Sequence, residues 1–485
     1  MKHLFIPLLA IIIFGCSTQN PTTMERYRPQ VHFTPHHNWT NDPNGLVYLD
    51  GEYHLFFQYN PYGTTWGHMS WGHAISTDLI TWKELPVALE EYTDAQTGDS
   101  TMIFSGTAVV DFNNSFVDCD TPDCLVAIYT SHVHRNNEGL RQHQSLAYSS
   151  NKGRSWNRYS KNPVLDIERK DFRDPKVFWY APHQKWIMVL VVPDLFKVQL
   201  YESKNLTAWT LLSEFGNAGD TLRIWECPDL YELPVHDQPG KSKWVLSLSG
   251  SHPAGDTFVG MQYFVGEFDG TTFTTAQTQP LYVDFGKDFY AGIVFNNVPN
   301  RTIMLGWVNN WTYANQIPTG SWRGMFSIPR ELGLKETTHG FRLTQHPVKE
   351  WGGARIQKLN SIADLATQSF ELEVELEEGG AINLFKSGTE KTTVGLREGK
   401  LFLDRTQSGL VDFQKDFASV ESVAIEPAPE KITLQIIADQ SVIEVFTTDG
   451  LYTLTDQVFP THSKPGVEVV GNAVVKNVWS VGLRN

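Results

Sequence analysis

The sequence lacks basic runs, long apolar segments and amphipathic helical stretches. Lysine and arginine form no cluster, and the 485-residue chain carries a formal net charge of −15. This balance argues against nucleic acid as a partner and suits a neutral or cationic one. Beyond the first residues, no segment is long and apolar enough for a transmembrane helix. Helical periodicity sustained over many residues is also scarce, which leaves β-structure.

The first residues have the composition of an export signal. A basic residue is followed by an apolar run over residues 4–14, too short to span a bilayer but typical of a signal-peptide hydrophobic region. The run ends in IFGC, which resembles a bacterial lipoprotein cleavage box and predicts a lipid-anchored, exported protein acylated on Cys16. The alternative is an ordinary secretion signal with Cys16 unmodified. We interpret residues 1–25 as signal peptide and polar tether.

Two of the four cysteines lie close together in the sequence. Cys119 and Cys124 are separated by four residues and could close a small disulfide loop in an oxidising compartment. Such spacing could also suggest a metal site, but no second Cys or His pair lies nearby. We therefore predict neither a metal nor another cofactor.

Short runs of β-forming residues, such as the predicted strand over residues 125–130, recur from end to end, which predicts an all-β protein. A weak repeat runs through them at residues 76–82 (STDLITW), 149–156 (SSNKGRSW), 203–209 (SKNLTAW) and 269–273 (DGTTF). Each copy is typical of a turn held by an Asx side chain, followed by an aromatic residue that plugs the core. The copies stand roughly 50 to 75 residues apart, the size of a propeller blade. Together with the N-terminal segment they predict about five blades.

The composition changes after the last of these repeats. From Leu359 onward the chain is richer in Glu and Lys and loses most of its Trp. Over residues 369–376 apolar residues alternate with Glu, a pattern that suits one face of a sandwich. We therefore predict a five-bladed β-propeller over residues 26–345 and a C-terminal β-sandwich over 355–485, with the boundary near 345–358.

Three acidic residues share an unusual local context. Asp42 lies in WTNDPNG, Asp174 in FRDP and Glu226 in WECPD. A proline follows each acid within two positions and favours extended backbone, and neighbouring aromatics can partly desolvate each carboxyl group. Each motif alone has a plainer interpretation as a turn, an ion pair or a solvated Glu. In a propeller, strands from different blades meet at one axial pocket, where converging carboxylates are what glycosidic cleavage requires.

Further motifs make the chain resemble glycoside hydrolase family 32, the invertase, inulinase and levanase family. The likeness covers nearly all of the chain after the leader. Besides the three acidic motifs, it rests on residues 28–35 (RPQVHFTP), 56–61 (FFQYNP), 71–74 (WGHA), 104–106 (FSG), 289–291 (FYA), 443–446 (IEVF) and 454–457 (LTDQ). The resemblance implies a five-bladed propeller followed by a β-sandwich, and no cofactor.

The resemblance implies a separate role for each acid. Asp42 matches the nucleophile, Glu226 the general acid and then base, and Asp174 the residue that stabilises the transition state by binding fructose hydroxyls. We predict that Arg173 keeps Asp174 ionised by lowering its pKa. The implied reaction removes terminal β-fructofuranosyl units, with retention, from sucrose or from the fructans levan and inulin.

Other positions that match the family are expected to bind the fructose. They are Asn41, Gln58, Trp66, Phe104, Ser105, Arg173, Tyr290 and Trp307. One departure from the nucleophile motif is Thr40, where the family often has Met or Leu. We interpret that change as one that tunes the pocket.

Alternative functions stay open on the sequence alone. A fructosyltransferase would use the same carboxylates but pass fructose to a sugar, and a catalytically silent surface lipoprotein would bind fructan without cleaving it. An inverting propeller enzyme of the arabinosidase type needs a longer gap between its carboxylates, and WTNDPNG fits it poorly. Residues 125–130 look more like bacterial levanases and inulinases than cytoplasmic sucrose hydrolases. We therefore favour exo-attack on a polymeric fructan.

Overall fold

The computed structural model describes residues 25–119, 121–221, 223–251 and 260–483. The predicted leader and the acylation site at Cys16 lie outside these residues. In the described ranges the helices are five short 3-10 turns: Ala181–His183, Pro193–Leu195, Ala314–Gln316, Lys349–Gly353 and Ile362–Asp364. Within the same ranges no helix has the length and hydropathy of a membrane span. The predicted all-β class is confirmed.

Five sheets follow one another along the chain as the blades of a propeller. The first blade contains β1 (Asn38–Leu49), β2 (Glu52–Asn60), β3 (Ser70–Ser76) and β4 (Lys83–Leu89). The second contains β5 (Tyr92–Thr93), β6 (Ser100–Asp111), β7 (Cys124–Arg135), β8 (Glu138–Ser149), β9 (Asn157–Arg158) and β10 (Leu165–Arg169). The third contains β11 (Arg173–Tyr180), β12 (Lys185–Val192), β13 (Lys197–Ser203) and β14 (Thr210–Gly216).

The fourth and fifth blades complete the propeller. The fourth contains β15 (Ile224–Pro234), β16 (Ser242–Ser251), β17 (Gly260–Phe268), β18 (Phe273–Thr274) and β19 (Leu281–Tyr282). The fifth contains β20 (Tyr290–Val294), β21 (Ile303–Val308), β23 (Met325–Phe326), β24 (Arg330–Thr337) and β25 (Gly340–Pro347), while β22 (Trp322–Arg323) joins the first blade.

The innermost strands of the blades close a ring. Strands β1, β6, β11, β15 and β20 contact one another in that order, and β20 returns to β1. Strand β22 pairs in parallel with the start of β1, and Val47 of β1 bridges to Asn296 beyond β20. The last part of the propeller thus holds the first strand in place, and all five inner strands surround one axis.

The predicted Asx turns join successive strands within four blades: β3 to β4, β8 to β9, β13 to β14 and β17 to β18. Asp78 and Asn205 each accept hydrogen bonds from two backbone amides across their turns, and Asp269 does the same. The predicted five blades count the N-terminal segment as one blade and the four repeat copies as four more. That count is wrong in detail, because the N-terminal segment and the first copy belong to the same blade. The fifth blade follows the fourth copy, and its hairpin uses the Thr337 hydroxyl in place of an Asx side chain.

Two further sheets pack face to face as the C-terminal sandwich. One sheet contains β26 (Arg355–Leu359), β27 (Ser369–Glu377), β32 (Lys431–Asp439), β33 (Val442–Thr447), β34 (Thr453–Gln457) and β36 (Ala473–Val481). The other contains β28 (Ala381–Ser387), β29 (Glu390–Arg397), β30 (Lys400–Gln407), β31 (Val420–Ala424) and β35 (Glu468–Val470). The predicted alternation on β27 is present, because Phe370, Leu372, Val374 and Leu376 are all fully buried in the sandwich core.

A buried ionic cluster joins the propeller to the sandwich. Arg330, on β24, donates to Asp284 at 2.8 Å and, across the junction, to Glu444 and Thr455 at 2.6 Å each. Glu444 also bonds the ring of His32 at 3.0 Å. Burying these charges is costly, and only complete pairing compensates for it. The cluster therefore depends on residues from both halves of the chain.

A second buried cluster crosses the same junction. Arg405, on β30, pairs with Asp288 at 2.5 Å and donates to the Tyr313 hydroxyl at 2.7 Å. Its guanidinium also lies over the ring of Phe417 at 4.1 Å. Two fully buried arginines thus tie the sandwich to the segments that carry the fifth blade.

Candidate active site

Each of the five inner strands contributes a polar side chain to one end of the central axis. Asp42 comes from β1, Ser105 from β6, Asp174 from β11, Glu226 from β15 and Tyr290 from β20. Every one of these residues lies in the first half of its strand. The propeller therefore brings the three predicted acids together, although 184 positions separate the first from the last.

A register shift interrupts every inner strand at this end. The shifts fall between Thr40 and Pro43, Ile103 and Gly106, Arg173 and Lys176, Glu226 and Asp229, and Tyr290 and Ile293. A bulge of this kind places two residues opposite one and re-aims the side chain. Asp174 and Cys227 have left-handed backbone with φ of 63° and 47°. The polar side chains are thus directed into the axis by local departures from regular pairing.

Asp42 is held by hydrogen bonds on both carboxylate oxygens. Ser105 donates its hydroxyl to Oδ2 at 2.6 Å, and Asn41 donates its amide to Oδ1 at 2.9 Å. The Trp39 indole N–H in turn fixes Asn41 at 2.8 Å. Burial raises the pKa of Asp42, these hydrogen bonds oppose the rise, and the charge of Glu226 adds to it. The chain of donors orients the carboxylate and favours its charged form.

Cys227 lies between Asp42 and Asp174. Its thiol is 3.4 Å from Asp42 Oδ2 and 3.7 Å from Asp174 Oδ2, and its backbone N–H donates to Asp174 at 2.9 Å. Burial and the three surrounding carboxylates raise the pKa of the thiol well above its usual range. The group is therefore a neutral weak donor that links two of the acids.

Arg173 connects Glu226 to the rim of the site. One terminal nitrogen donates to Glu226 Oε1 at 3.0 Å and the other to Asp171 at 3.0 Å. The Tyr290 hydroxyl donates to the second oxygen of Glu226 at 2.5 Å. Both oxygens of Glu226 thus have donors that fix the orientation of its carboxyl group.

The prediction that Arg173 keeps the pKa of Asp174 low is wrong. The guanidinium is nearest to Glu226 and Asp171, and its Nε lies 3.8 Å from Asp174. Burial raises the pKa of Asp174 to about 7, because the lowering by Arg173 is smaller than the cost of desolvation and is opposed by the neighbouring carboxylates. Asp174 therefore exchanges its proton near neutral pH.

The acids form the floor of an open pocket of about 480 Å³. All three predicted acids line it, and so do six of the predicted binding residues: Asn41, Gln58, Trp66, Phe104, Ser105 and Arg173. Trp66 is 41% exposed, so an indole ring lies at the mouth where a sugar can stack on it.

Two predicted binding residues do not line this pocket. Tyr290 is buried behind Glu226 and acts on it through the hydroxyl. Trp307 is fully buried, and its ring packs 4.9 Å from that of Trp311, which does line the pocket. Thr40 is also fully buried outside the lining, where its hydroxyl donates to the Gln58 carbonyl at 2.9 Å. These residues support the wall from behind.

The pocket has further lining residues that the sequence motifs did not reveal: His132, Gln142, Asp171, Trp311 and Asn315. Asp171 directly precedes the FRDP motif, so the sequence could have indicated that it lies near the pocket. His132 lies just beyond the predicted strand 125–130, and β7 extends through it to Arg135. Gln142, Trp311 and Asn315 lie in no recognisable sequence motif, because contacts between distant segments bring them to the pocket.

The three cysteines within the described ranges show two different environments. Cys119 and Cys124 are joined by a disulfide beside the start of β7, whereas Cys227 is free and buried. Across the described ranges, no group of three or more His, Cys, Asp or Glu side chains has a metal-binding arrangement.

The pKa of Asp174 leads to a prediction about stability. We expect Asp174→Asn to raise the melting temperature by several degrees at pH 8 and to leave it unchanged near pH 4. The folded pKa of about 7 exceeds the ordinary value of 3.8, so the folded protein binds a proton that the unfolded chain releases. Wild-type stability therefore falls relative to the variant as pH rises between these two values, and the difference is constant above them.

Calorimetry of both proteins from pH 4 to pH 8 measures this difference. Asp237→Asn is the matched control, because Asp237 lies exposed in a turn and its replacement should change the melting temperature little at any pH. A difference between wild type and Asp174→Asn that shrinks as pH rises would contradict the raised pKa.

Comparison with known proteins adds two family matches. A model described as the glycosyl hydrolases family 32 N-terminal domain matches residues 32–347. A model described as the family's C terminal matches residues 341–481. Together they cover nearly the whole of the described chain.

Individual relatives agree with these matches. A levanase from Bacillus subtilis (strain 168) is 44% identical, over 96% of this chain and 71% of the relative. The crystal structure of an exo-inulinase from Aspergillus awamori has a TM-score of 0.85 at 37% identity, covering 94% of this chain and 98% of that one. A fructofuranosidase from Schwanniomyces occidentalis, solved with fructose, has a TM-score of 0.85 at 30% identity, covering 94% and 99%.

Proposed function

This chain belongs to glycosyl hydrolase family 32, and from that premise we propose that it hydrolyses the terminal β-fructofuranosyl bonds of fructans and sucrose with retention. The observation that carries the proposal is the meeting of Asp42, Asp174 and Glu226 in one pocket. Relatives named levanase, exo-inulinase and fructofuranosidase support the choice of fructose as the transferred sugar.

In the proposed first step Asp42 is the nucleophile. Its carboxylate attacks the anomeric carbon of the terminal fructose, and the bond from that carbon to the bridging oxygen breaks. Glu226 gives its proton to the departing oxygen, so the leaving sugar departs as a neutral alcohol. The hydrogen bonds from Ser105 and Asn41 support this role, because they hold the attacking carboxylate in one orientation.

In the second step Glu226 acts as a base. Its carboxylate takes a proton from water while the water oxygen attacks the anomeric carbon and Asp42 departs. Two inversions give net retention. Arg173 and Tyr290, which bond the two oxygens of Glu226, are proposed to keep that carboxyl group in line with the bridging oxygen.

Asp174 is proposed to bind two hydroxyls of the fructose and to stabilise the transition state. Its low exposure and its position next to Arg173 suit this role, since a buried carboxylate attracts the positive charge that develops at the anomeric carbon. Sugar hydroxyls that donate to Asp174 favour its charged form, so substrate binding should itself lower the raised pKa.

A substrate panel tests the proposed reaction. Sucrose, inulin and levan are incubated with the enzyme, and products are followed from the first turnovers by chromatography and by proton NMR. We expect free fructose, formed first as the β-anomer, to be the main initial product. Early trisaccharides of the kestose type would instead support transfer to a sugar, and binding of levan without release of reducing sugar would overturn the enzymatic function.

We also propose that the protein is exported and anchored by a lipid on Cys16. The apolar run before Cys16 and the disulfide between Cys119 and Cys124 support export, because structural disulfides form in oxidising compartments. Metabolic labelling with a fatty-acid analogue tests the anchor. Label should enter the wild type and be absent from Cys16→Ala; label in both proteins, or in neither, would refute it.

A further inference from the structure

Three aromatic rings line the pocket, and a fourth outside the lining continues the series. The rings of Phe104 and His132 are parallel, with centroids 4.5 Å apart and an interplanar angle of 2°. His134 stacks behind His132 at 5.8 Å and 22°, and Trp66 meets Phe104 edge-on at 6.1 Å. We call Trp66, Phe104, His132 and His134 the rim series. None of its members is an acid, and it leads outward from the catalytic carboxylates.

The hairpin of β7 and β8 carries the two histidines. His132 and His134 are two positions apart on β7, so their side chains point to the same face of the blade. The turn at the tip contains Asn136 and Asn137, both with left-handed backbone at φ of 51° and 65°, as tight hairpins require. Pairing of β7 with its neighbours in the second blade therefore fixes the position of His132. One of these neighbours is β6, the strand that carries Phe104.

The hydrogen bonds of Gln142 determine which nitrogen of His132 carries the proton. The backbone N–H of Phe172 donates to Gln142 Oε1 at 2.8 Å, so this oxygen is the acceptor and the amide nitrogen is the donor. That nitrogen lies 3.2 Å from His132 Nδ1, which must accept. In a neutral imidazole the proton then resides on Nε2. No other described residue of the chain accepts a hydrogen bond from this Nε2.

His132 is uncharged over the whole neutral range. Burial, with smaller contributions from the neighbouring His134 and Arg173, lowers its pKa to about 4. The residue therefore presents a neutral N–H rather than a cation at the mouth of a site whose floor already holds several carboxylates. A neutral donor beside aromatic rings suits the hydroxyls and apolar faces of a sugar.

We infer that His132 is a substrate-binding residue that holds the sugar unit next to the fructose being removed. This inference rests on the proposed function. The terminal fructose occupies the floor around Asp42, Asp174 and Glu226, so the unit that leaves must extend toward the mouth. His132 lines the same pocket, and its Nε2–H donates to a hydroxyl of that unit, while Phe104 and His134 keep the imidazole in plane.

Two variants separate the hydrogen bond from the stacking. His132→Phe keeps a ring against Phe104 but has no N–H, and His132→Ala removes both. The kcat/KM of each is measured on an inulin-type oligosaccharide, a levan-type oligosaccharide and β-fructosyl fluoride, which has no leaving sugar. We expect both variants to lose roughly 5- to 10-fold on the oligosaccharides, the effect of one neutral hydrogen bond, and to match wild type on the fluoride.

His183→Ala is the matched control, because His183 is exposed at the edge of the third blade and should not alter any donor's kcat/KM. Unchanged rates on the oligosaccharides would overturn the inference. An equal loss on all three donors would also overturn it, because His132 would then only support the fold. Failure of the wild type to release fructose from any donor would refute the proposed function instead, so the two failures are distinguishable.

Discussion

Exchange of Glu226 for glutamine is expected to lower kcat on fructans and sucrose by roughly 10²- to 10⁴-fold, the contribution of general acid–base catalysis. Glutamine keeps the shape of the side chain and an oxygen that can accept from Arg173, which now donates to Oε1 at 3.0 Å. It cannot give a proton to the bridging oxygen. The fold and substrate binding should therefore survive while the chemistry is lost.

A donor whose leaving group needs no proton shows whether proton donation is the step that the variant has lost. Fluoride departs without a proton, so Glu226→Gln should form the fructosyl-enzyme from β-fructosyl fluoride at a rate close to wild type. The second step still lacks a base, and the intermediate should accumulate until azide, which needs no base, releases it as a fructosyl azide. Glu232→Gln, at an exposed position of the same strand, should behave as wild type. An equal loss in the rate of fructosyl-enzyme formation from the fluoride and from sucrose would contradict the acid role.

Exchange of Asp42 for asparagine is expected to have a still larger effect, of about 10⁴-fold or more on every donor. Loss of a nucleophile removes the covalent route itself, so neither the fluoride nor azide should restore turnover. Asparagine retains an oxygen that can accept from Ser105, which now donates to the carboxylate at 2.6 Å. The pocket should thus remain intact around the substitution.

Mass spectrometry of the trapped intermediate tests the same residue directly. Protein with Glu226→Gln, incubated with β-fructosyl fluoride, should carry one fructosyl group on the peptide that contains Asp42. Adding Asp42→Asn to that background should abolish the adduct. Asp50→Asn is the control, since Asp50 lies exposed just beyond the end of β1. A fructosyl group on any other peptide would assign the nucleophile elsewhere.

The blades were largely predictable because four of the five repeat a local signal. An Asx residue that bonds two backbone amides needs only a few neighbouring residues, so Asp78, Asn205 and Asp269 are recognisable without knowledge of the fold. The fifth blade escaped this pattern because Thr337 replaces the Asx residue in its hairpin. A hydroxyl forms the same kind of turn with weaker sequence preference, and the repeat becomes unrecognisable there.

The three acids of the site could be predicted from the sequence, but the ion pairs between its charged groups could not. Asp42, Asp174 and Glu226 stand in motifs, and a propeller gives distant motifs a reason to converge. The partner of Arg173 was not evident from the sequence, because the adjacent residue in the chain is not the nearest group in space. The register shift at Arg173 and Lys176 turns neighbouring side chains in different directions, and the guanidinium bonds Glu226 instead.

The two histidines of the rim series also could not be predicted from local sequence. Strand propensity ends the predicted strand near Thr130, but β7 continues to Arg135. Pairing with β8 sustains these extra residues, and such pairing is a long-range interaction that local propensity does not contain. His132 and His134 lie in that extension, so their approach to the pocket depends on the hairpin as a whole.

The buried arginines at the junction constrain how the enzyme can be rebuilt. Arg330 shares its charge with Asp284 on one side and Glu444 on the other, and Arg405 reaches Asp288 from the sandwich. A shortened protein ending after the propeller would leave Asp288 without Arg405 and Arg330 without Glu444, with Asp284 still paired to Arg330. The catalytic half therefore cannot be moved alone: a carbohydrate-binding or display partner should be fused beyond the sandwich, and a sandwich taken from another family member must supply an acid for Arg330 and a cation for Asp288.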